Sequence, residues 1–305
     1  MKVSVIMPVY NRQDYVKEAI DSILHQTMGD LELIVIDDKS TDHTADIVRD
    51  IHDDRIRFIE APFKSNIPIL RNAGISMAKG QYIAFMDSDD ISVPERLEWE
   101  CDFLDHHDDY GLVGGFNHTF GQADSIVEFP VTNEDISGGM AVRCVMSNGN
   151  MLFRKSLIDQ GFHIKPEYFV CEDYDFFCQM IGHTKMANLP QVVLNVRYHT
   201  RQTTSNSWKI PYQLRLRAAI LHEIHRMALT NLRLTFTEEE LTLYSDWMGD
   251  TARLYTASLE KIQKLEKLLD KFEDQLAAEN PSYLNGFRQQ ADRKLKKLYK
   301  KVNES

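Results

Sequence analysis

The run Phe85-Met86-Asp87-Ser88-Asp89-Asp90 sets three carboxylates directly behind the apolar stretch Tyr82-Ile83-Ala84-Phe85-Met86. A short apolar run bounded by polar residues predicts a buried strand, so the acids leave its C-terminal end. In open α/β sheets that edge is where ligands bind. Like charges this close repel unless a cation neutralises them, and hard carboxylate oxygens suit Mg2+ or Mn2+. A solvated acidic loop capping the next helix is the plainer alternative.

Three further clusters hold polar groups able to do chemistry. They are Pro8-Val9-Tyr10-Asn11-Arg12, Asp37-Asp38-Lys39-Ser40 and Cys171-Glu172-Asp173-Tyr174-Asp175. Each alone reads as turn or cap residues. Delivered together to one sheet edge, the early clusters would form a binding site.

The elements that must deliver them alternate strand and helix signals. Residues 3–7 and 31–36 read as strands, the second ending at Asp37-Asp38. Between them, residues 13–25 carry Tyr15, Val16, Ala19, Ile20, Ile23 and Leu24 at helical spacing. Ser40-Thr41-Asp42 caps a second helix, 55–60 is a short strand, and 69–79 is a helix closed by Gly80. Strand 82–86 then delivers the acids. This alternation predicts an α/β fold with a largely parallel sheet covered on both faces. From 111 to about 201 the pattern is mixed, with strand signals at 112–113 and 151–153 and a helical one at 173–181.

Beyond Ser207 the chain is strongly helical, with prolines only at Pro211 and Pro281. Met248, Tyr255, Ile262, Leu265, Leu269, Phe272 and Leu276 follow a three-four repeat interrupted by Thr251 and Ser258. That suits a helical hairpin packed within the chain, or a short coiled coil forming a homodimer through the C-terminal helices.

Bulk properties narrow the class. A chain of 305 residues, 43% hydrophobic and 27% charged, can bury a large core as a globular protein. No apolar stretch reaches the ~18 residues of a membrane span. The start, Met1-Lys2-Val3-Ser4, lacks a signal-peptide layout. Four cysteines without C-x-x-C spacing read as reduced thiols, so the expected location is cytoplasmic. From Gly286 onward seven basic residues face two acidic ones, so the tail carries +5 and the remainder −16 of the net −11. An acidic body argues against nucleic acid as a partner. The tail sets Phe287, Ala291, Leu295, Leu298 and Val302 opposite its lysines. Two readings stay open: a peripheral helix on the inner face of the cytoplasmic membrane, or a helix docked on the acidic body.

Taken together, the motifs resemble the inverting family 2 glycosyltransferases of GT-A fold. The resemblance rests on VSVIMPVYNRQDYVKEAIDSILHQT, ELIVIDDKSTDHT, LRNAGISMAKGQYIAFMDSDD with PERLE following, CEDYDFF and VRYHTRQTTSNS. These five motifs occur in the family's order over roughly the first two thirds of the chain. MSNGNMLFR and the later motifs are similar, more narrowly, to bacterial enzymes that extend lipooligosaccharide or capsule glycans with hexose or N-acetylhexosamine.

The resemblance implies a Rossmann-like GT-A domain at 1–207, with a nucleotide-binding half at 1–110 and an acceptor-binding half at 111–207. Residues 208–305 form a helical extension. It implies metal-dependent transfer, with Mn2+ or Mg2+, from a UDP-sugar to a hydroxyl of a glycan or lipid-linked oligosaccharide. Pro8, Val9, Tyr10 and Asn11 would wall the nucleoside, and Asp38 would accept from uracil N3–H, with Asp37 holding the turn. Arg71 would face the nucleotide and its phosphates. Asp87 and Ser88 would touch the nucleotide sugar, and Asp89, aided by Asp87 and His199, would hold the metal. Asp90 would cap the following helix. Asp173 would be the catalytic base, with Glu172 binding acceptor or orienting it. Asn148, Asn150 and Arg197 would contact sugar or acceptor.

The chain departs from the family where many relatives carry N-x-G before the arginine helix. Here the residues are Lys64-Ser65-Asn66, with Pro68 stiffening the entry. Two other functions compete. A sugar nucleotidyltransferase would place a glycine-rich phosphate loop where Pro8-Val9-Tyr10-Asn11-Arg12 stands. A non-catalytic carbohydrate-binding module would tolerate loss of Asp173.

Overall fold

A computed structural model of the chain describes residues 1–199, 211–249 and 258–303. The described residues form two compact units that interleave along the chain. One comprises Met1–Val131, Met146–Glu172 and Met186–His199; the other comprises Thr132–Val145, Asp173–Lys185 and the described residues beyond His199. The boundary expected at 207 lies outside the described residues.

The first unit is built on β1 (Val3–Val9), β2 (Leu31–Asp37), β3 (Ile56–Glu60) and β4 (Tyr82–Phe85). These pair in parallel, in the order β3-β2-β1-β4. β1 and β2 are apolar on both faces and buried almost throughout, as a doubly covered parallel strand requires. Helix α1 (Val16–Leu24) packs Val16, Ala19, Ile20 and Ile23 into the same core as Val5, Met7 and Val35. Register pairs Val9 with Asp37 and Ile6 with Phe85, so three strands end on one edge. The sheet then continues through β8 (Leu152–Arg154), β6 (Tyr110–Gly121), β9 (Lys185–Tyr198) and β5 (Ile91–Ser92), with β7 (Ser125–Val127) on β6. β8 runs antiparallel to both β4 and β6. The expected mostly parallel α/β sheet therefore holds in its nucleotide half, and an antiparallel half is joined to it.

Helices α2 (Thr44–Arg49), α3 (Ile67–Met77) and α4 (Arg96–His106) complete the βα alternation. Asn66 caps α3: its backbone is extended and its side chain accepts from the Ile69 N–H at 3.0 Å. Pro68 fits because the first-turn N–H groups have no helical partner. Lys64-Ser65-Asn66 is thus a working helix entry despite the missing glycine.

In the second unit, α5 (Asn133–Met140), most of α7 (Glu172–Gln179; α6 is Ser156–Asp159 of the first unit) and four C-terminal helices pack together. Those helices are Pro211–Asn231, Glu238–Met248, Leu259–Glu279 and Leu284–Asn303. Ile262, Leu265, Leu269, Phe272 and Leu276 are buried, with Phe272 against Tyr244 and Phe287. The three-four repeat thus has an intramolecular partner; Thr251 and Tyr255 lie outside the described residues. The last helix crosses α5 closely: a Cβ on Gly138 would sit 2.8 Å from Phe287 N, and one on Gly286 would sit 2.2 Å from Asp135 O. That packing buries Phe287, Ala291 and Leu298. Three of the five stripe residues are thus covered by the unit itself, Leu295 and Val302 are half-buried, and Lys296, Lys297 and Lys301 stay exposed. Among the described residues no helix is long and apolar enough to cross a membrane.

Candidate active site

Two of the early clusters are stitched to each other. The loops that follow β1 and β2 each hold a left-handed residue, Asn11 (φ 51) and Lys39 (φ 62), a conformation in which Asn is tolerated well. The Asn11 N–H donates to Ser40 Oγ (2.9 Å), and its amide oxygen accepts from the Thr41 N–H (2.8 Å). Asp37 accepts from the Ser40 N–H at 3.0 Å, which makes it the turn-holding acid. Asn11, expected as nucleoside wall, is thus committed to joining the two loops. Val9 is buried, while Tyr10 presents an exposed ring.

Asp38 is nearly buried, and both its oxygens are engaged. Oδ1 accepts from the Ser65 N–H (2.7 Å) and Oδ2 from Lys64 Nζ (2.5 Å). The same ammonium stands 3.0 Å from the Tyr10 ring centroid.

The acid run is held by Arg71 of α3. Its side chain is 3% exposed, donating to Asp87 Oδ1 at 3.1 Å and to Glu172 Oε1 at 3.0 Å. The Asn148 amide oxygen, in the orientation that satisfies its neighbours, also accepts from the guanidinium. Phe85 lies beneath it, 4.9 Å from ring centroid to guanidinium carbon. Arg71 thus reaches two anionic partners within the protein. Asp87 keeps 43% of its side chain exposed, whereas Ser88 is buried.

Asp89 takes two donors on Oδ2: Arg12 Nε and His199 Nε2, each at 3.0 Å. That places the proton of His199 on Nε2 whenever Asp89 is ionised. Tyr15 backs the imidazole at 4.8 Å between ring centroids.

Asp90 corrects an expectation. It is buried and accepts from the Arg197 N–H at 2.9 Å, tying β9 to the acid loop, while α4 begins only at Arg96. Burial, then the neighbouring Asp87 and Asp89 charges, push its carboxyl well above the usual carboxylate range. The rest of Arg197 is equally committed. Its Nε donates to Asp89 O (3.0 Å), its fork pairs with Glu18, and its plane lies over Tyr15 and Phe120. Arg197 braces the loop. Asn150 also departs from its expected sugar contact. It is fully buried and donates to Gly115 O (2.7 Å) and Asn117 Oδ1 (2.6 Å), so it is a stitch within the sheet.

Sequence reasoning gave no role to Arg96, the arginine of PERLE. It is fully buried, paired with Glu100 at 3.1 Å, and donates to Phe85 O (3.1 Å), Gly149 O (3.1 Å) and Met151 O (3.3 Å). Its i,i+4 spacing to Glu100 was the available signal, and it ordinarily marks a surface pair. Arg96 fixes the end of β4, which leads into Asp87, to the segment that follows Asn148.

No group of three or more His, Cys, Asp or Glu side chains able to cage a metal is assembled among the described residues. Asp89 beside His199, with Asp87 two residues away, still fits a hard divalent cation. Such ions are commonly held by one or two carboxylates and completed by substrate phosphates and water. Glu172 and Asp173 open α7, and the two units divide between them. Asp173 accepts from the Tyr174 N–H at 2.7 Å. Thr200–Ser207, the end of the last motif, lies outside the described residues.

Comparison with known proteins adds three findings. The family model described as Glycosyl transferase family 2 matches residues 4–162. An uncharacterized glycosyltransferase of Haemophilus influenzae is 30% identical over 217 residues, 67% of each chain. UDP-Glc:alpha-D-GlcNAc-diphosphoundecaprenol beta-1,3-glucosyltransferase WfaP of Escherichia coli is 28% identical over 210 residues, 68% of this chain and 81% of that one. Several other curated relatives are matched over less than half of their own length. Among solved structures, S. aureus TarS 1-349 in complex with UDP-GlcNAc superposes with a TM-score of 0.65 at 17% identity, covering 96% of this chain and 91% of that one. At that identity the likeness speaks for the fold.

Proposed function

Because the chain belongs to glycosyl transferase family 2 and has the GT-A fold, we propose that it moves a hexose or N-acetylhexosamine from a UDP-sugar to a hydroxyl of a glycan or lipid-linked acceptor, inverting C1. The observation that carries this reading is the Arg71 bridge. One buried guanidinium binds Asp87, from the donor-side acids, and Glu172, the chain neighbour of the candidate base.

In this reading Pro8, Val9 and Tyr10 flank the nucleoside and Asp38 accepts from uracil N3–H, where cytosine has no donor. Asp87 and Ser88 lie along the nucleotide sugar. Asp89 and His199 would hold Mn2+ or Mg2+, and such a cation would supply charge stabilisation for a departing UDP. Asp173 takes the proton of the acceptor hydroxyl as that oxygen bonds to C1. The C1–O bond to the β-phosphate breaks, and its electron pair leaves with UDP. Arg71 keeps Asp87 and Glu172 aligned and acts as a positioning residue.

The product in this reading is a bacterial surface polysaccharide such as lipooligosaccharide or capsule; the name of the Escherichia coli relative, which acts on a diphosphoundecaprenol-linked sugar, supports a UDP-sugar donor and a lipid-linked acceptor. A lipid-linked acceptor would place the enzyme at the inner face of the cytoplasmic membrane. With most of its apolar stripe covered, the last helix would approach anionic lipid chiefly by its lysines, at about 1 kcal/mol per basic residue.

Incubation with UDP-, GDP- and dTDP-sugars and Mn2+, scored by nucleotide release, tests the reading. UDP release is expected. Selectivity for GDP- or dTDP-sugars would overturn the role of Asp38. Pyrophosphate release from a nucleoside triphosphate would restore the nucleotidyltransferase.

A further inference from the structure

Lys64 stands out because its ammonium is held at two points by residues of the candidate nucleoside site. It donates to Asp38 Oδ2 at 2.5 Å and lies 3.0 Å from the Tyr10 ring centroid, while 48% of its side chain stays exposed. We propose that Lys64, together with Asp38, reads the edge of the nucleobase and makes the donor site selective for uracil over cytosine. This rests on the reading of Asp38 as the base-contacting carboxylate.

Uracil presents N3–H between two carbonyl oxygens, so its edge needs an acceptor with a donor beside it. A carboxylate has about four lone-pair sites, and two on Asp38 are taken, by Ser65 N–H and Lys64. The remainder can accept N3–H. An ammonium carries three donors and Asp38 takes one, which leaves Lys64 able to donate to the adjacent carbonyl. Where the ammonium meets O4, cytosine reverses both positions. Its N3 lone pair would face the carboxylate and its amino group would face the ammonium. Mismatched buried polar groups discriminate far more strongly than shape does. Holding the ammonium on Asp38 and on one face of Tyr10 lowers the ordering cost of the contact.

The test is titration calorimetry of the full chain with UDP and with CDP, both with Mn2+, for wild type and Lys64→Met, with melting curves to verify folding. Wild type should prefer UDP. Lys64→Met should weaken UDP binding about tenfold, the scale of one charge-assisted hydrogen bond, and leave CDP within about twofold. Equal weakening of both nucleotides would make Lys64 a phosphate contact. Unchanged or tighter UDP binding would make it a mere cover over Asp38. Either result overturns the proposal. A wild type with no preference for UDP over CDP would instead sink the role of Asp38 itself.

Discussion

Asp89 and His199, 110 positions apart in the chain, meet at 3.0 Å on the edge where β4 and β9 end. The pair combines a hard oxygen with an imidazole nitrogen, a donor set open to Mn2+ or Mg2+ once phosphate oxygens join. Chelation should therefore abolish nucleotide release, and added Mn2+ should restore it. Loss of even an outer-shell partner typically costs about 10–100-fold in metal affinity. His199→Ala should raise the Mn2+ needed for half-maximal activity at least that far. An unchanged requirement would remove His199 from the metal.

Asp173→Asn should separate chemistry from donor binding. A positioned general base contributes about 10²–10⁴-fold to rate, so kcat should fall by that factor while UDP affinity by calorimetry holds. Equal turnover in the variant would remove Asp173 as the base.

What could be read from the sequence follows from how each feature is determined. β1, β2 and β4 were legible because strands covered on both faces are continuous apolar runs, and polar residues mark their ends. Their common edge followed from βαβ connectivity. The antiparallel placement of β8 between β4 and β6 was not legible, since three residues carry too little pattern and long-range pairing decides it. Arg96 and Asn150 misled for one reason: Arg and Asn are usually exposed, and both are buried here by backbone carbonyls from other segments. The terminal helix showed its apolar face in sequence. Periodicity tells that a face exists; it took Gly138 and Gly286 to show what covers it.

Arg71 predicts a stability effect separable from catalysis. Breaking a buried ion pair by removing one partner costs about 3–5 kcal/mol, because a charge is left uncompensated. Glu172 is the partner that suffers, since Asp87 is half exposed and hydrates. Arg71→Met should lose about that much in urea unfolding, and Glu172→Gln added to it should recover part of the loss. Purely additive losses would show that the Arg71–Glu172 contact carries no coupling.

Glu100 gives the protein a pH signature. Burial pushes its carboxyl up to about 7 from 4.5, against the opposing pull of Arg96; burial, and then the Glu100 charge, raise the neighbouring Cys101 thiol to about 12. A folded value above the unfolded one means the folded state holds the proton longer. The contribution is then complete below 4.5 and is lost as pH rises towards 7. Wild type should accordingly lose about 3 kcal/mol relative to Glu100→Gln between those limits. Urea unfolding of both proteins at a series of pH values measures the difference. A flat difference would mean that Arg96 keeps Glu100 ionised throughout.

Gly149 tests how tightly Asp87 must be placed. A Cβ there would lie 2.9 Å from Asp87 Oδ2 and 3.3 Å from Leu194 Cδ2. The carboxylate is the freer of the two, being the end of a half-exposed side chain, so Asp87 should swing and the backbone stay. Arg71 then loses its Asp87 contact while keeping Glu172, which confines the damage to the donor-side acid. A displacement near 1 Å at a reacting site can cost about 10²-fold in rate. Gly149→Ala should therefore retain its melting temperature and lose about that factor in kcat. Full activity in a folded variant would show that Asp87 need not occupy its present position.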